Sequence, residues 1–196
     1  MQIAVIGSGM VGSLIATELA KEYQITVFDN SEKNLKELGG ENPNIRLEVI
    51  DVNDIAFEEK INNYKLAINC LPGFMGFNVL KKMINLGISC IDISFMPEDC
   101  LQLNELARKN ECTIIPDAGV APGLSNLIIG NIVANDGITE IRTMVGGLPK
   151  EKKPPWNYKA PFSPIDVIEE YTRPARVKVD GKIEIREALS DIQNFE

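Results

Sequence analysis

The chain has 196 residues, 44% hydrophobic and 24% charged, a globular composition large enough for one well-buried domain and part of another. Its 20 basic and 28 acidic residues leave a net charge of −8, which argues against a non-specific nucleic-acid binder. Four cysteines, none in CxxC spacing, and no histidine exclude a Ser-His-Asp triad and leave a metal site almost without ligands.

The apolar runs are too short to span a membrane, and MQIAVIGSG opens on a strand without the basic flank of a signal peptide. A cytoplasmic protein is expected. Gln2 to Ile6 reads as a buried strand and Val11 to Lys21 as a helix with Leu14, Ile15 and Leu19 on one side. Between them lies Gly7-Ser8-Gly9-Met10-Val11-Gly12, a GxGxxG at a strand-to-helix turn. Gly7 permits the turn, Gly9 lets backbone approach a pyrophosphate, and Gly12 lets the helix pack closely. The helix N-terminus around Met10 and Val11 then faces the phosphates.

Ile25 to Phe28 is the second strand, and Asp29 at its end suits the ribose hydroxyls of an adenosine. Asn30 and Ser31 offer no arginine for a 2′-phosphate, so NAD is expected rather than NADP. Ser31 caps a short helix to Leu38, and Ile45 to Ile50 is strand-like, closing on Asp51-Val52 at the rim where an adenine would lie. A helix over 54–61 leads to the strand Leu66 to Asn69, closing on Cys70, Leu71 and Pro72. Cys70 has no evident base beside it and reads as cofactor wall rather than nucleophile. Phe74 to Leu86 is helical, stopped by Gly87, and Ile88 to Ile91 is a strand followed by Asp92. A helix from Pro97 to Lys109 and a strand from Cys112 to Ile115 follow.

DAGVAPGLSN (117–126) closes this sixth strand. Asp117 falls on the ligand-facing rim. Gly119 and Gly123 permit backbone that side chains would forbid, and Pro122 suits the first position of a helix to Ala134. Strands and helices in strict alternation define an α/β fold, a doubly wound parallel (Rossmann) sheet over residues 1–136. Residues 137–196 read as the start of an antiparallel α+β second domain. In it, 138–145 is strand-like, 165–171 is helical, and VKVDGKIEI turns at Asp180-Gly181 as a hairpin.

GSGMVG, DISFMPED (92–99), DAGVAPGLSN and GGLP (146–149), with NYKAPFSP and EYTRPARVKVDGK in the tail, resemble the saccharopine dehydrogenase-like family, in particular its lysine 6-dehydrogenase branch. The resemblance implies an NAD-dependent oxidoreductase acting on the amino group of an amino acid, with the ε-amine of L-lysine oxidised to an imine. It carries Gly7, Gly9, Gly12 and Asp29 over as cofactor residues. Asp117, Gly119, Pro122 and Gly123 would flank the nicotinamide and substrate, with Asp117, Tyr158 and Lys159 the acid–base candidates and Arg173 the candidate for the substrate carboxylate.

Two alternatives stay open: a saccharopine or carboxynorspermidine dehydrogenase-type enzyme, and a non-catalytic NAD-binding regulatory module. Family members are longer, so a truncated substrate domain is expected. Association as a homo-oligomer, a dimer, or with a missing C-terminal half is expected too, and no nucleic-acid or membrane partner.

Overall fold

The computed structural model describes residues 1–39, 42–138, 140–146, 149–155 and 163–190. The chain divides into two compact units, Met1–Val145 and Gly146–Glu196. In the first unit, strands and helices alternate: β1 (Gln2–Ile6), α1 (Met10–Leu19), β2 (Gln24–Asp29), α2 (Glu32–Leu38), β3 (Ile45–Val49) and α3 (Ile55–Ile61). They continue as β4 (Leu66–Asn69), α4 (Gly73–Asn85), β5 (Ser89–Asp92), α5 (Asn104–Lys109), β6 (Ile114–Ile115) and α6 (Leu124–Asp136). The six strands are all parallel, in the order β3-β2-β1-β4-β5-β6. This is the doubly wound order, with its switch point between β1 and β4.

Alternation along β1 explains the two layers. Ala4 and Ile6 join a core with Phe28, Phe57, Ile61, Leu80 and Met83. Ile3 and Val5 face the other way, onto Ala16, Ala20, Ile25, Val27 and Leu35. Thus α1 and α2 cover one face, and α3, α4 and α5 the other. Phe28 sits at the centre of the larger layer, edge-on to Phe57 at 5.6 Å and to Tyr64 at 5.8 Å. The Tyr64 hydroxyl donates to Thr26 Oγ1 at 2.7 Å, so its polar end is satisfied against the sheet.

Several local expectations are corrected. β3 ends at Val49 rather than Ile50, and as an edge strand it leaves Val49 56% exposed. The helix expected from Pro97 begins only as a 3-10 turn at Cys100–Leu103, because the Asp99 carboxylate accepts the Leu101 N–H and caps there; α5 follows. The sixth strand shrinks to Ile114–Ile115, since the Cys112 N–H is still bonded to the Ala107 carbonyl at the end of α5. Pro122 precedes the helix cap rather than opening the helix, and Gly123 occupies the cap. The described residues between Ile138 and Val145 form no strand, for their apolar side chains find no ladder to join.

The second unit holds α7 (Pro164–Thr172) and the antiparallel pair β7 (Ala175–Val179) and β8 (Lys182–Arg186). Asp180 and Gly181 both take positive φ, 48° and 82°, at the two-residue turn. Among the described residues no helix is long and apolar enough to cross a membrane.

Candidate functional site

Because the large sheet is wholly parallel, all its strands end on one edge. The glycine turn stands at the middle of that edge. Gly7, at φ 98°, donates its N–H to the Phe28 carbonyl at 2.8 Å. A Cβ on Gly12 would lie 2.1 Å from the Gly7 carbonyl oxygen and 3.1 Å from the Cys70 Cβ, so α1 can start this close only with glycine there. A Cβ on Gly9 would meet nothing within 4 Å. No side chain caps α1, and its first N–H groups have no intrahelical acceptor. Met10 and Val11 keep their side chains exposed at that end.

Asp29 ties this turn to β2. Its Oδ2 accepts the Ser8 N–H at 2.6 Å and its Oδ1 the Ser31 N–H at 2.7 Å. Each oxygen still has a lone-pair direction for a sugar hydroxyl. Ser8 itself is buried, and its Oγ has no hydrogen-bond partner among the described residues. A buried orphan hydroxyl, open space over Gly9 and an uncapped helix end fit a polar, anionic ligand lying across the turn.

Next along the rim, Asp51 accepts from the Asn53 N–H at 2.8 Å and from Asn30 Nδ2 at 3.2 Å. These donors, the Asn53 N–H foremost, hold its carboxyl below the usual range. Val52 departs from expectation: its side chain turns into the core beside Phe28 and Phe57, leaving only backbone at the rim.

On the other side of β1, Leu71 packs partly against the core and Pro72 stands at the cap of α4. Cys70 is half-buried, and desolvation first, then the charge of Asp92, pushes its thiol up to about 12. It is inert at neutral pH. Iodoacetamide at pH 8 is expected to leave Cys70 unmodified in the folded chain and to alkylate it in urea; rapid labelling of the native thiol would contradict this. All four cysteines are thiols rather than disulfides. Among the described residues no group of three potential ligands could hold a metal.

Asp92 also corrects expectation. It is completely buried, and both carboxylate oxygens are taken up inside the protein. Oδ2 accepts Asn69 Nδ2 at 2.6 Å; Oδ1 accepts the Ser94 N–H at 2.8 Å and lies 2.5 Å from Ser94 Oγ. Its main chain reaches onward, the carbonyl accepting the Ala118 N–H at 2.8 Å. Asp92 therefore braces three strand ends and cannot touch a cofactor through its carboxylate. Asn69 and Ser94 read in the sequence only as polar residues at the ends of the fourth and fifth strands; the structure gives them the part of buried partners to Asp92.

Burial raises the Asp92 pKa, against the hydrogen bonds from Ser94 and Asn69, and Asp117 adds to the rise. A carboxyl whose folded pKa lies above its unfolded value contributes most below the unfolded value, about 3.9, and loses that contribution as pH rises through the folded pKa. The chain should therefore lose stability relative to Asp92→Asn as pH climbs from 4, with a slope of at most about 1.4 kcal/mol per pH unit. Urea midpoints of both proteins across pH 4 to 8 test this; a constant difference would contradict it.

Asp117 follows β6 on the same rim, in left-handed backbone at φ 52°. The chain then folds tightly on itself. The Leu124 N–H donates to the Gly119 carbonyl at 2.9 Å, and the Gly123 N–H donates to Asn126 Oδ1 at 3.0 Å. Pro122 is exposed in this loop. Past the loop, none of the residues of α6 is buried.

In the second unit, Arg173 is engaged by Glu169, Nε at 3.0 Å and Nη2 at 2.9 Å from the same carboxylate oxygen. A substrate carboxylate would have to share that guanidinium. Tyr158 and Lys159 lie outside the described residues.

A six-stranded doubly wound sheet, with a glycine turn at its switch point and an acid closing the second strand, defines a dinucleotide-binding domain. Residues 3–115 match the family model described as the saccharopine dehydrogenase NADP binding domain, and residues 119–195 match the saccharopine dehydrogenase C-terminal domain. The chain belongs to the saccharopine dehydrogenase family. Asp117 falls at the seam between the two matches.

Among curated relatives, "saccharopine dehydrogenase [NADP(+), L-glutamate-forming]" of Schizosaccharomyces pombe is 26% identical over 191 residues, 92% of this chain and 42% of that protein. "Alpha-aminoadipic semialdehyde synthase, mitochondrial" of Bos taurus is 26% identical over 195 residues, 93% of this chain and 21% of that protein. The chain thus spans less than half the length of these relatives. The apo structure of the L-Glu-forming saccharopine dehydrogenase from Saccharomyces cerevisiae shares the fold, with a TM-score of 0.67 at 22% identity over 95% of this chain and 44% of that one.

Proposed function

We propose that this chain carries the cofactor site of an amino-acid dehydrogenase that uses NAD and acts on the ε-amine of L-lysine. The observation that carries the cofactor reading is the glycine turn: open over Gly9, closed behind Gly12 by backbone contact, with the orphaned Ser8 hydroxyl beneath it. Bound there, a nicotinamide supplies a two-electron acceptor for oxidation of a C–N bond. Gly7 to Gly12 and the α1 N-terminus would hold the pyrophosphate, and Asp29 the adenosine ribose.

Charge supports NAD over NADP. Asp29 and Asp51 stand together at the edge where a 2′-phosphate would lie. The cation nearest to Asp29 in sequence, Lys33, has its side chain 83% exposed and reaches Glu37 at 3.7 Å. The family model and the S. pombe relative carry NADP in their descriptions, so the acid at position 29 is what argues for the other cofactor here. A histidine-free chain suits an amine substrate, because a deprotonated amine expels its own hydride and needs no general base at the carbon. With free lysine amine titrating near about 10.4, turnover should rise toward alkaline pH.

The name of the S. pombe relative favours a second reading, in which the C–N bond is that of saccharopine. A panel of L-lysine, saccharopine and other amino acids, each with NAD and with NADP at alkaline pH, separates the readings by absorbance of the reduced cofactor. Lysine with NAD is the expected pair. Turnover of saccharopine alone would overturn lysine as the substrate, and cofactor binding without turnover of any amino acid would favour a regulatory module.

A further inference from the structure

The side chain of Lys82, in the third turn of α4, is only a quarter exposed, and its ammonium makes its contacts inside the first unit. Its Nζ donates to the Val52 carbonyl at 2.7 Å, lies 3.1 Å from Glu58 Oε1, and sits 5.8 Å over the Phe57 ring. Val52 belongs to the loop that leaves β3. That loop is otherwise held by the Val52 side chain in the core and by Asp51, whose carboxylate takes the Asn53 N–H and the Asn30 amide. Asn30 in turn follows Asp29 directly. Among the described residues Lys82 is therefore the one α4 side chain seen to bond a main-chain carbonyl of this loop.

We infer that Lys82 is a positioning residue for the adenosine edge of the cofactor site, acting through the Asp51–Asp54 loop. This rests on the reading of residues 29–31 and 51–53 as that edge. The physical argument is the cost of removing it. Without the ammonium, the Val52 carbonyl loses a charged donor, the exposed Glu58 carboxylate loses its cation, and the loop loses its lower anchor. The upper contact, Asn30 to Asp51 at 3.2 Å, is exposed, where water competes for both partners. A loop loosened about the buried Val52 side chain shifts Asp51 relative to Asn30, and the edge that would meet an adenosine loses its shape. Lys81, the neighbouring exposed lysine, makes none of these contacts and serves as the internal control.

The test uses the full chain in three variants, Lys82→Met, Lys82→Arg and Lys81→Met, each checked for native circular dichroism. Calorimetry with adenosine 5′-monophosphate as probe is run well below every melting temperature. Hydrogen exchange is followed at the Asn53 and Asp54 amides, which donate to the Asp51 carboxylate and carbonyl. Lys82→Met is expected to weaken the nucleotide by at least ~10-fold and to speed exchange at both amides, from the loss of a charged hydrogen bond. Lys82→Arg should recover much of the affinity, and Lys81→Met should match the unaltered chain. A Lys82→Met protein that binds the nucleotide as the unaltered chain does would overturn the role of Lys82, whatever its exchange. Failure of the unaltered chain to bind the nucleotide would overturn the adenosine-edge reading itself, and the role of Lys82 there with it.

Discussion

Gly12→Ala should abolish cofactor binding and cost the chain about 3 kcal/mol of stability, the upper range for overpacking a tight contact. The added methyl would lie 2.1 Å from the Gly7 carbonyl oxygen and 3.0 Å from the Gly7 carbonyl carbon. Both are backbone atoms, so no rotamer change relieves the clash. Either α1 tilts away from the sheet or the turn at Gly7 opens. Tilting α1 uncovers the packing of Ala16 on Ile3 and Val5. Opening the turn breaks the Gly7 N–H bond to Phe28 and shifts Ser8 from Asp29. Because domains are stable by only about 5–15 kcal/mol, a loss of this size is visible in a urea melt. A Gly12→Ala protein with the original urea midpoint and cofactor affinity would contradict the account of the turn.

Gly123→Ala should be the second most damaging change, and for two reasons at once. At φ 132° the backbone of Gly123 is in a region that L side chains rarely adopt. The methyl would also lie 2.2 Å from the Gly119 carbonyl oxygen and 2.5 Å from that of Asp117. The loop would have to open, and the Leu124 N–H would lose the Gly119 carbonyl. Strain and contact together put the cost at about 2–4 kcal/mol, paid locally by the loop and the first turn of α6. Faster exchange of the Leu124 and Ser125 amides, with the β1 and β4 amides unchanged, is the expected signature. Unchanged exchange at Leu124 would contradict it.

Much of the first unit was legible because its signals are local. The run from Gln2 to Ile6, the glycines and Asp29 fall at fixed spacing, and each follows from its immediate neighbours. The Asp180-Gly181 hairpin is of the same kind. What escaped depends on partners far along the chain. Asp92 looks like any acid at a strand end; only Asn69, one strand away, and Ser94 make it a buried brace. Val52 follows an exposed acid, yet packing with Phe28 and Phe57 draws it inward. Pro122 has the composition of a first helical residue, but the left-handed Asp117 and the Gly119–Gly123 contact move the cap two positions on, to Gly123. Arg173 suggested a ligand partner until Glu169, one helical turn earlier, was seen to hold it.

The measurement that bears most directly on the whole account is calorimetric titration of the full chain with NAD and, separately, with NADP. Saturable binding of NAD, with NADP weaker by at least ~10-fold because Asp29 repels a 2′-phosphate, is the predicted result. Tighter binding of NADP would contradict the role given to Asp29, and binding of neither would contradict the cofactor site itself.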